Sequence, residues 1–484
     1  MAENREGAVQ GGGNRARRSE PHNEPDQVLD VLHHGAAIGA AEGCEEKAVT
    51  SGAPQRRRLE ASPRGVALLL TGKCNLSCAY CYQKGSKARQ AMGWAVARSA
   101  LETVLAWGLN EIVVEFTGGE PLLEVATLRR AVSFIEANRA RDTAVSFTIT
   151  TNGTLLTPQL TEFLLDRGFT IRLSFDGVDA AQGHRGEGTF RTLDRLLHNL
   201  REQHPSGFAK QLRIVVTLLA STIPLLAESV RYLLAKDVQA IEIAPRFTWD
   251  PDWRPSCRDG LERQVNEILR LSLDHWRATG AVPVGFLSAA PLLDADAPVE
   301  QFLCGAPAAT ALCVDPEGQA WACPSFAGSL QTLAPLALEA SRVLGLGPIF
   351  SPRFSRRLSA LSGKASRLQL FADRLGKRSS YGSCVDCRYV ADCHICPASI
   401  SHSPTNLDPD LIPDFACAFK YTTLAAREWF DEMTGGRRSV NWYNEVRAAL
   451  GELEDAVKSS VATSQLEQSL GSVRTQRRPA RRIG

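Results

Sequence analysis

The sequence predicts an α/β protein: six strand–helix units in succession, then a small cysteine-rich domain. Three observations carry this. Apolar runs of strand length alternate with amphipathic stretches from about residue 63 to 279. Polar motifs recur at the ends of the first four apolar runs. Of the thirteen cysteines, only Cys44 and Cys257 stand alone, and most of the others lie after residue 300. A chain of 484 residues suits two or three domains. Its 44% hydrophobic and 22% charged residues suit real cores.

The units run in order. RGVALLLT (64–71) is a strand-length apolar run, followed by an amphipathic helix over 90–107. EIVVEF (111–116) precedes a helix over 123–139, and AVSFTIT (144–150) one over 157–167. TIRLSF (170–175) is followed by a helix over 190–203. QLRIVVTLL (211–219) and AIEIAP (240–245) flank a helix near 223–235, and a last helix fits 259–279. Such alternation gives parallel β-α units. Six units suit a partial barrel or a doubly wound sheet, and periodicity does not choose between them. In both, functional groups gather on loops after the C-terminal ends of strands.

Residues 63–290 thus form a first domain and 300–430 a second, with an inserted linker at 330–383 that carries basic helical segments. In the second, DPEG (315–318) is a hairpin turn between two short strands. Residues 1–62 read as a poorly ordered extension, or as a short segment for a partner or leader. Residues 431–484 read as a helical segment and a solvated basic tail, RTQRRPARRIG. A net charge of +2 exerts no global pull toward nucleic acid or acidic membranes. No apolar run approaches the roughly 20 residues of a membrane span. The polar SEPHNEPDQ after Arg15, Arg17 and Arg18 argues against an export signal. The expectation is a cytoplasmic protein with no nucleic-acid or membrane partner.

The stretch TGKCNLSCAYCYQ (71–83) holds Cys74, Cys78 and Cys81 in a C-x3-C-x2-C spacing. A closed zinc site or a complete iron–sulfur cluster takes four ligands. A fourth ligand therefore comes from elsewhere, or one metal position is left open for chemistry. TGGEP (117–121), TTNG (150–153) and SFDG (174–177) end the next three strands. Each alone is an ordinary turn; their shared register on one rim makes them a candidate site. The later cysteines are Cys304, Cys313 and Cys323, then Cys384, Cys387, Cys393 and Cys396, then Cys417. Bunched cysteines in a reducing compartment bind metal. CVDCRYVADCHIC by itself would read as a zinc knuckle.

The cysteine loop, with Tyr80 before its last cysteine, resembles the signature of the radical S-adenosylmethionine (SAM) superfamily. CNLSCAYCY is similar to the branch with a C-terminal SPASM domain, a resemblance covering about residues 63–430. It implies a partial (β/α)6 TIM-like barrel followed by a cysteine-rich SPASM domain. It implies that Cys74, Cys78 and Cys81 ligate three irons of a [4Fe–4S] cluster, leaving the fourth iron to SAM. Gly118, Gly119 and Glu120 would then receive the SAM amino group. Ser174 and Asp176 would face its methionine or ribose part, Arg185 its carboxylate, and Tyr80 its adenine; Thr151 and Asn152 are further candidates. Two auxiliary [4Fe–4S] clusters would be held by Cys304, Cys313, Cys323 and Cys396, and by Cys384, Cys387, Cys393 and Cys417. The sequence departs from the familiar spacing between Cys393 and Cys396, which enclose only two residues, and between Cys304 and Cys313. Cys313 could instead be a core residue of the hairpin.

The resemblance further implies a peptide or protein substrate and an electron donor such as flavodoxin or ferredoxin. Hydrogen abstraction would install a C–S, C–C or C–O crosslink in a ribosomal peptide. Anaerobic formylglycine maturation of sulfatases is the alternative, but Pro324, not an Asp, follows Cys323. A zinc-ribbon binding protein is the alternative of another class; it leaves the three-cysteine loop and GGEP without a role.

Overall fold

The computed structural model describes residues 63–81, 90–288, 304–310, 312–327, 334–371 and 374–435. The N-terminal extension (1–62) and the chain from residue 436 onward lie outside the described residues.

Six parallel strands form the first half: β1 (Gly65–Thr71), β2 (Glu111–Gly118), β3 (Ala144–Thr151), β4 (Thr170–Ser174), β5 (Leu212–Leu218) and β6 (Ile241–Pro245). Each pairs only with its sequence neighbours within this set, in the order β6-β5-β4-β3-β2-β1. A doubly wound sheet reverses direction at a switch point. This one never does, so the chain winds as a partial (β/α)6 barrel.

The strands alternate between two environments. On β2, Ile112, Val114 and Phe116 join the main core with Leu128, Val132 and Ile135 of the helix Val125–Asn138. The intervening Glu115 and Thr117 are buried on the opposite, lumen face. The same switch puts Arg172 and Ser174 of β4 and Glu242 of β6 on the lumen face. Phe116, Phe147 and Phe169 stack between sheet and helices, with centroids 5.8 Å and 5.0 Å apart. Local signals set the helix ends. Thr157 caps Pro158–Asp166 by accepting from the Leu160 N–H at 3.3 Å. Gly280, at φ +73°, closes the long helix Cys257–Thr279.

The free edge of β1 is covered by the cysteine-rich half. Strand β7 (Cys313–Val314) lies parallel to β1, with Ala67 opposite Cys313. A turn over Asp315–Gly318 leads to antiparallel β8 (Gln319–Trp321), and β9 (Gly345–Pro348) adds a ninth strand. Asp315 builds the turn by accepting from the Glu317 and Gln319 amides and the Trp321 indole N–H, at 2.9–3.0 Å. β9 sits inside the segment expected to be a linker, and the helix Pro335–Leu344 beside it buries Ala337, Ala340 and Leu344. The final described helix, Asp414–Thr434, packs along Cys257–Thr279 and seats Phe415 against Trp253 at 4.7 Å. Among the described residues no helix is long and apolar enough to cross a membrane.

Candidate functional site

The cysteine loop leaves the C-terminal end of β1 and is met there by the turn that leaves β2. Gly119 N–H donates to the Thr71 carbonyl at 2.7 Å, and Glu120 N–H to the Lys73 carbonyl at 2.8 Å. The approach is so close that only glycine fits. A Cβ on Gly118 would stand 2.4 Å from the Thr71 oxygen, and one on Gly119 2.2 Å from the Lys73 oxygen. Gly118 also holds φ +132°.

Glu120 ties this turn to the end of β3. Its Oε1 accepts from the Thr151 hydroxyl at 2.7 Å and the Leu122 N–H at 3.0 Å; its Oε2 accepts from the Asn152 N–H at 2.8 Å. Burial pushes this carboxyl up to about 7, and the three donors pull the other way. Asn152 reaches on to the cysteine loop, with its Nδ2 2.9 Å from Asn75 Oδ1 and 3.7 Å from the Cys74 sulfur. The turns after β1, β2 and β3 are therefore one hydrogen-bonded unit, with Cys74 exposed, Cys81 half-buried and Cys78 buried.

The end of β4 meets the other side of the loop. Asp176 accepts from Arg185 Nε at 2.8 Å and Nη2 at 2.9 Å, from the Thr217 N–H at 2.8 Å, and from the Tyr80 hydroxyl at 2.5 Å. Ala79 N–H donates to the His184 carbonyl at 2.7 Å. Tyr80, Asp176 and Arg185, expected separately near SAM, thus meet one another. Ser174 is buried two positions before Asp176, on the lumen face.

Deeper in the lumen, Arg172 pairs with Glu242, and Glu115 stands nearby. Glu115 Oε1 is 3.5 Å from the Thr150 hydroxyl, and Oε2 has no hydrogen-bond partner among the described residues. Burial raises this carboxyl from 4.5 to about 7, against the pull of Arg172. The folded protein therefore keeps a proton that the unfolded chain releases between those two pH values. Stability falls as pH rises through that window and is flat above it, by on the order of 3 kcal/mol at most for this group. Glu120 contributes a slope of the same sign. Glu115→Gln is expected to flatten the decline in urea midpoint between pH 4.5 and about pH 7. An unchanged slope would refute the assignment.

Electrostatic interactions among the later cysteines run within two sets of four. Cys323 acts electrostatically on Cys304 and Cys313, and Cys304 and Cys323 both act on Cys396. Cys387 and Cys417 act on Cys384, Cys384 and Cys387 act on Cys393, and Cys387 acts on Cys417. Burial pushes the thiols of Cys304, Cys384 and Cys393 up to about 12, and that of Cys323 to about 11. Buried thiols grouped in this way suit a positively charged metal group that would ionise them. Cys313 is both a fully buried strand residue and a neighbour of Cys323. Among the described residues no three His, Cys, Asp or Glu side chains converge as tightly as a single metal ion requires. Thiolates around a cluster stand farther apart, because iron and sulfide separate them. A cavity of about 710 Å³ is lined by all four of Cys384, Cys387, Cys393 and Cys417, with Arg258 and Arg374 beside them. Its four thiols are the donor type that an iron–sulfur cluster takes.

Sequence reasoning identified the cysteines and the rim motifs because their spacing is local. It missed Glu115, Arg172 and Glu242, which are separated by whole β-α units. It also missed Thr217, whose amide completes the acceptor shell of Asp176 from the neighbouring strand.

Comparison with known proteins agrees with this geometry. Residues 68–217 match the family model of the radical SAM superfamily. An uncharacterized protein of Methanocaldococcus jannaschii is 30% identical over 179 residues, which are 36% of this chain and 59% of that one. The radical SAM cyclopropyl synthase TigE of Paramaledivibacter caminithermalis is 27% identical over 159 residues, covering 28% and 33%. The chain thus spans about one third to three fifths of the length of these curated relatives. Among solved structures, native anSMEcpe with bound AdoMet and the Kp18Cys peptide matches with a TM-score of 0.60 at 17% identity. That match covers 77% of this chain and 99% of the other, and it speaks to the fold. With the three-cysteine loop seated on its glycine turn inside the matched segment, residues 68–217 carry the radical SAM domain, and the chain has the fold of the SPASM-type maturases.

Proposed function

We propose that this protein is a radical SAM enzyme that abstracts hydrogen from a peptide or protein and so installs a C–S, C–C or C–O crosslink or a similar modification. The observation that carries this reading is the cysteine loop: three thiols on one turn at the C-terminal end of β1, bonded to the glycine turn of β2. Cys74, Cys78 and Cys81 would hold a [4Fe–4S] cluster, leaving one iron to SAM. The pair, once bound, supplies a 5′-deoxyadenosyl radical able to take hydrogen from an unactivated carbon. Gly118 and Gly119 keep the backbone close to the loop, where a side chain would intrude. Glu120, its carboxyl at about 7, would become fully ionised beside a SAM ammonium. Ser174 borders the same rim from β4. The lumen offers a polar, buried wall to the reacting part of a substrate.

Two auxiliary [4Fe–4S] clusters on the two quartets would accept the electron left after bond closure or relay it outward, and a donor such as flavodoxin or ferredoxin would supply the electron that starts the reaction. A peptide partner is supported by the fold shared with anSMEcpe, whose structure holds the Kp18Cys peptide. The test is anaerobic incubation with SAM, a reductant and a candidate peptide from a neighbouring gene. The expected result is peptide-dependent 5′-deoxyadenosine and a mass change in the peptide; neither appearing with any such peptide counts against the proposal.

Sulfatase maturation is the second reading, favoured by the same shared fold. Against it, Pro324 follows Cys323, and the backbone carbonyl of Ser325 is taken by His402 Nε2 at 3.0 Å. Formylglycine in a CxPxR peptide would restore it.

A further inference from the structure

We propose that Tyr80, Asp176 and Arg185 form a clasp that positions the Cys78–Cys81 segment and holds a guanidinium charge against the Tyr80 ring that packs on Cys78. The inference rests on the radical SAM reading of the cysteine loop. It gives these three residues a role toward the protein's own loop.

The hydrogen-bond inventory of Asp176 carries the argument. An ionised carboxylate has about four acceptor positions. Oδ2 takes the Tyr80 hydroxyl and Arg185 Nε, and Oδ1 takes Arg185 Nη2 and the Thr217 N–H. All four positions are filled from within the chain, which fixes the carboxylate between the loop and the end of β5. The residue is held in place from its other end as well, because its N–H donates to Gln182 Oε1 at 2.8 Å, and Gln182 Nε2 reaches the Thr189 hydroxyl at 3.2 Å.

The network reaches the cluster ligands through Tyr80. This residue lies between Cys78 and Cys81, and its ring packs with Cys78 and Leu219 in a small buried cluster. The Arg185 guanidinium lies 5.4 Å from the ring centroid, and the Ala79 N–H bond to His184 pins the same turn. Asp176, Arg185 and Tyr80 are each about 3% exposed. A buried bidentate pair of this kind is costly to break from one side, because the remaining charge has no water to turn to. Arg185 also interacts electrostatically with Cys78. Its positive charge, balanced by Asp176, therefore bears on the electron affinity of whatever Cys78 ligates.

The experiment uses the full chain, reconstituted anaerobically with iron and sulfide, and follows the EPR signal that changes when SAM is added. Tyr80→Phe removes one hydrogen bond and no charge. It should release iron from the SAM-responsive cluster to a chelator roughly 10-fold faster than the parent. Asp176→Asn removes the anion that offsets Arg185, so the midpoint potential of the SAM-responsive signal should shift positive. Should Asp176→Asn fail to fold, the chelation rate of Tyr80→Phe decides alone. A parent-like chelation rate in Tyr80→Phe, or a parent-like potential in Asp176→Asn, overturns the clasp. A parent protein with no SAM-responsive signal overturns the radical SAM reading and the clasp with it.

Discussion

Cys78→Ala protein is expected to form no 5′-deoxyadenosine above background under anaerobic assay, while its fold is kept. Cys78 is the buried member of the triad, and it packs against Tyr80 and Leu219. Alanine there costs a single sulfur contact, on the order of 1 kcal/mol of packing, because Cys behaves as a small hydrophobe in such a place. Its loss as a ligand is of another order. Residues that merely orient a ligand are worth 10–100-fold in metal affinity or activity, so removal of the ligand itself should exceed about 100-fold. No neighbour replaces it: Glu120 is bound by three donors, and Asn152 reaches Cys74 instead. The measurement is 5′-deoxyadenosine by chromatography, with circular dichroism as the check on folding. Cleavage within about tenfold of the parent protein would mean that this loop does not carry the chemistry.

The six barrel strands were legible because each is a short run of apolar residues that ends in a polar turn. GVALLLT is buried at all seven positions, as a parallel strand covered on both faces must be. The winding direction was not legible, since strand order is a property of non-local pairing. β9 was invisible for another reason. GLGP has two glycines and a proline, and only its pairing with Gln319–Trp321 makes it a strand. β7 is two residues long, and its place against β1 depends on a partner some 240 positions earlier in the chain.

The site divides along the same line. Cys74, Cys78, Cys81 and Gly118–Glu120 are local patterns whose geometry the chain fixes within a few residues. The mutual engagement of Tyr80 and Asp176 spans 96 positions, and spacing carries no trace of it. Glu115 reads as one charged residue in an otherwise apolar strand. Only the fold reveals that it shares a lumen with Arg172 and Glu242. The expectation that Tyr80, Asp176 and Arg185 lie near SAM came from resemblance; that the three also bond to one another is visible only in the folded chain.

Cys393→Ala and Cys396→Ala, three positions apart in CVDCRYVADCHIC, are expected to empty different clusters. Cys393 belongs with Cys384 and Cys387 and lines their cavity, where Arg374 donates to its carbonyl. Cys396 precedes the helix Pro397–Ser401 and interacts electrostatically with Cys304 and Cys323. The chain reverses its allegiance within His394 and Ile395. If the two quartets each hold a cluster, pairs of mutations separate them. Cys396→Ala with Cys323→Ala should lose no more iron than either alone, because both damage one site. Cys396→Ala with Cys393→Ala should lose the sum of the two single losses, as independent sites do. Iron and acid-labile sulfide per chain, measured after anaerobic reconstitution, give the answer. A Cys393/Cys396 double variant that loses no more than each single would mean that the CVDC…CHIC group serves one metal site. The zinc-knuckle reading would then recover its place, and a colourless double variant of Cys74 and Cys78 would complete the case for it.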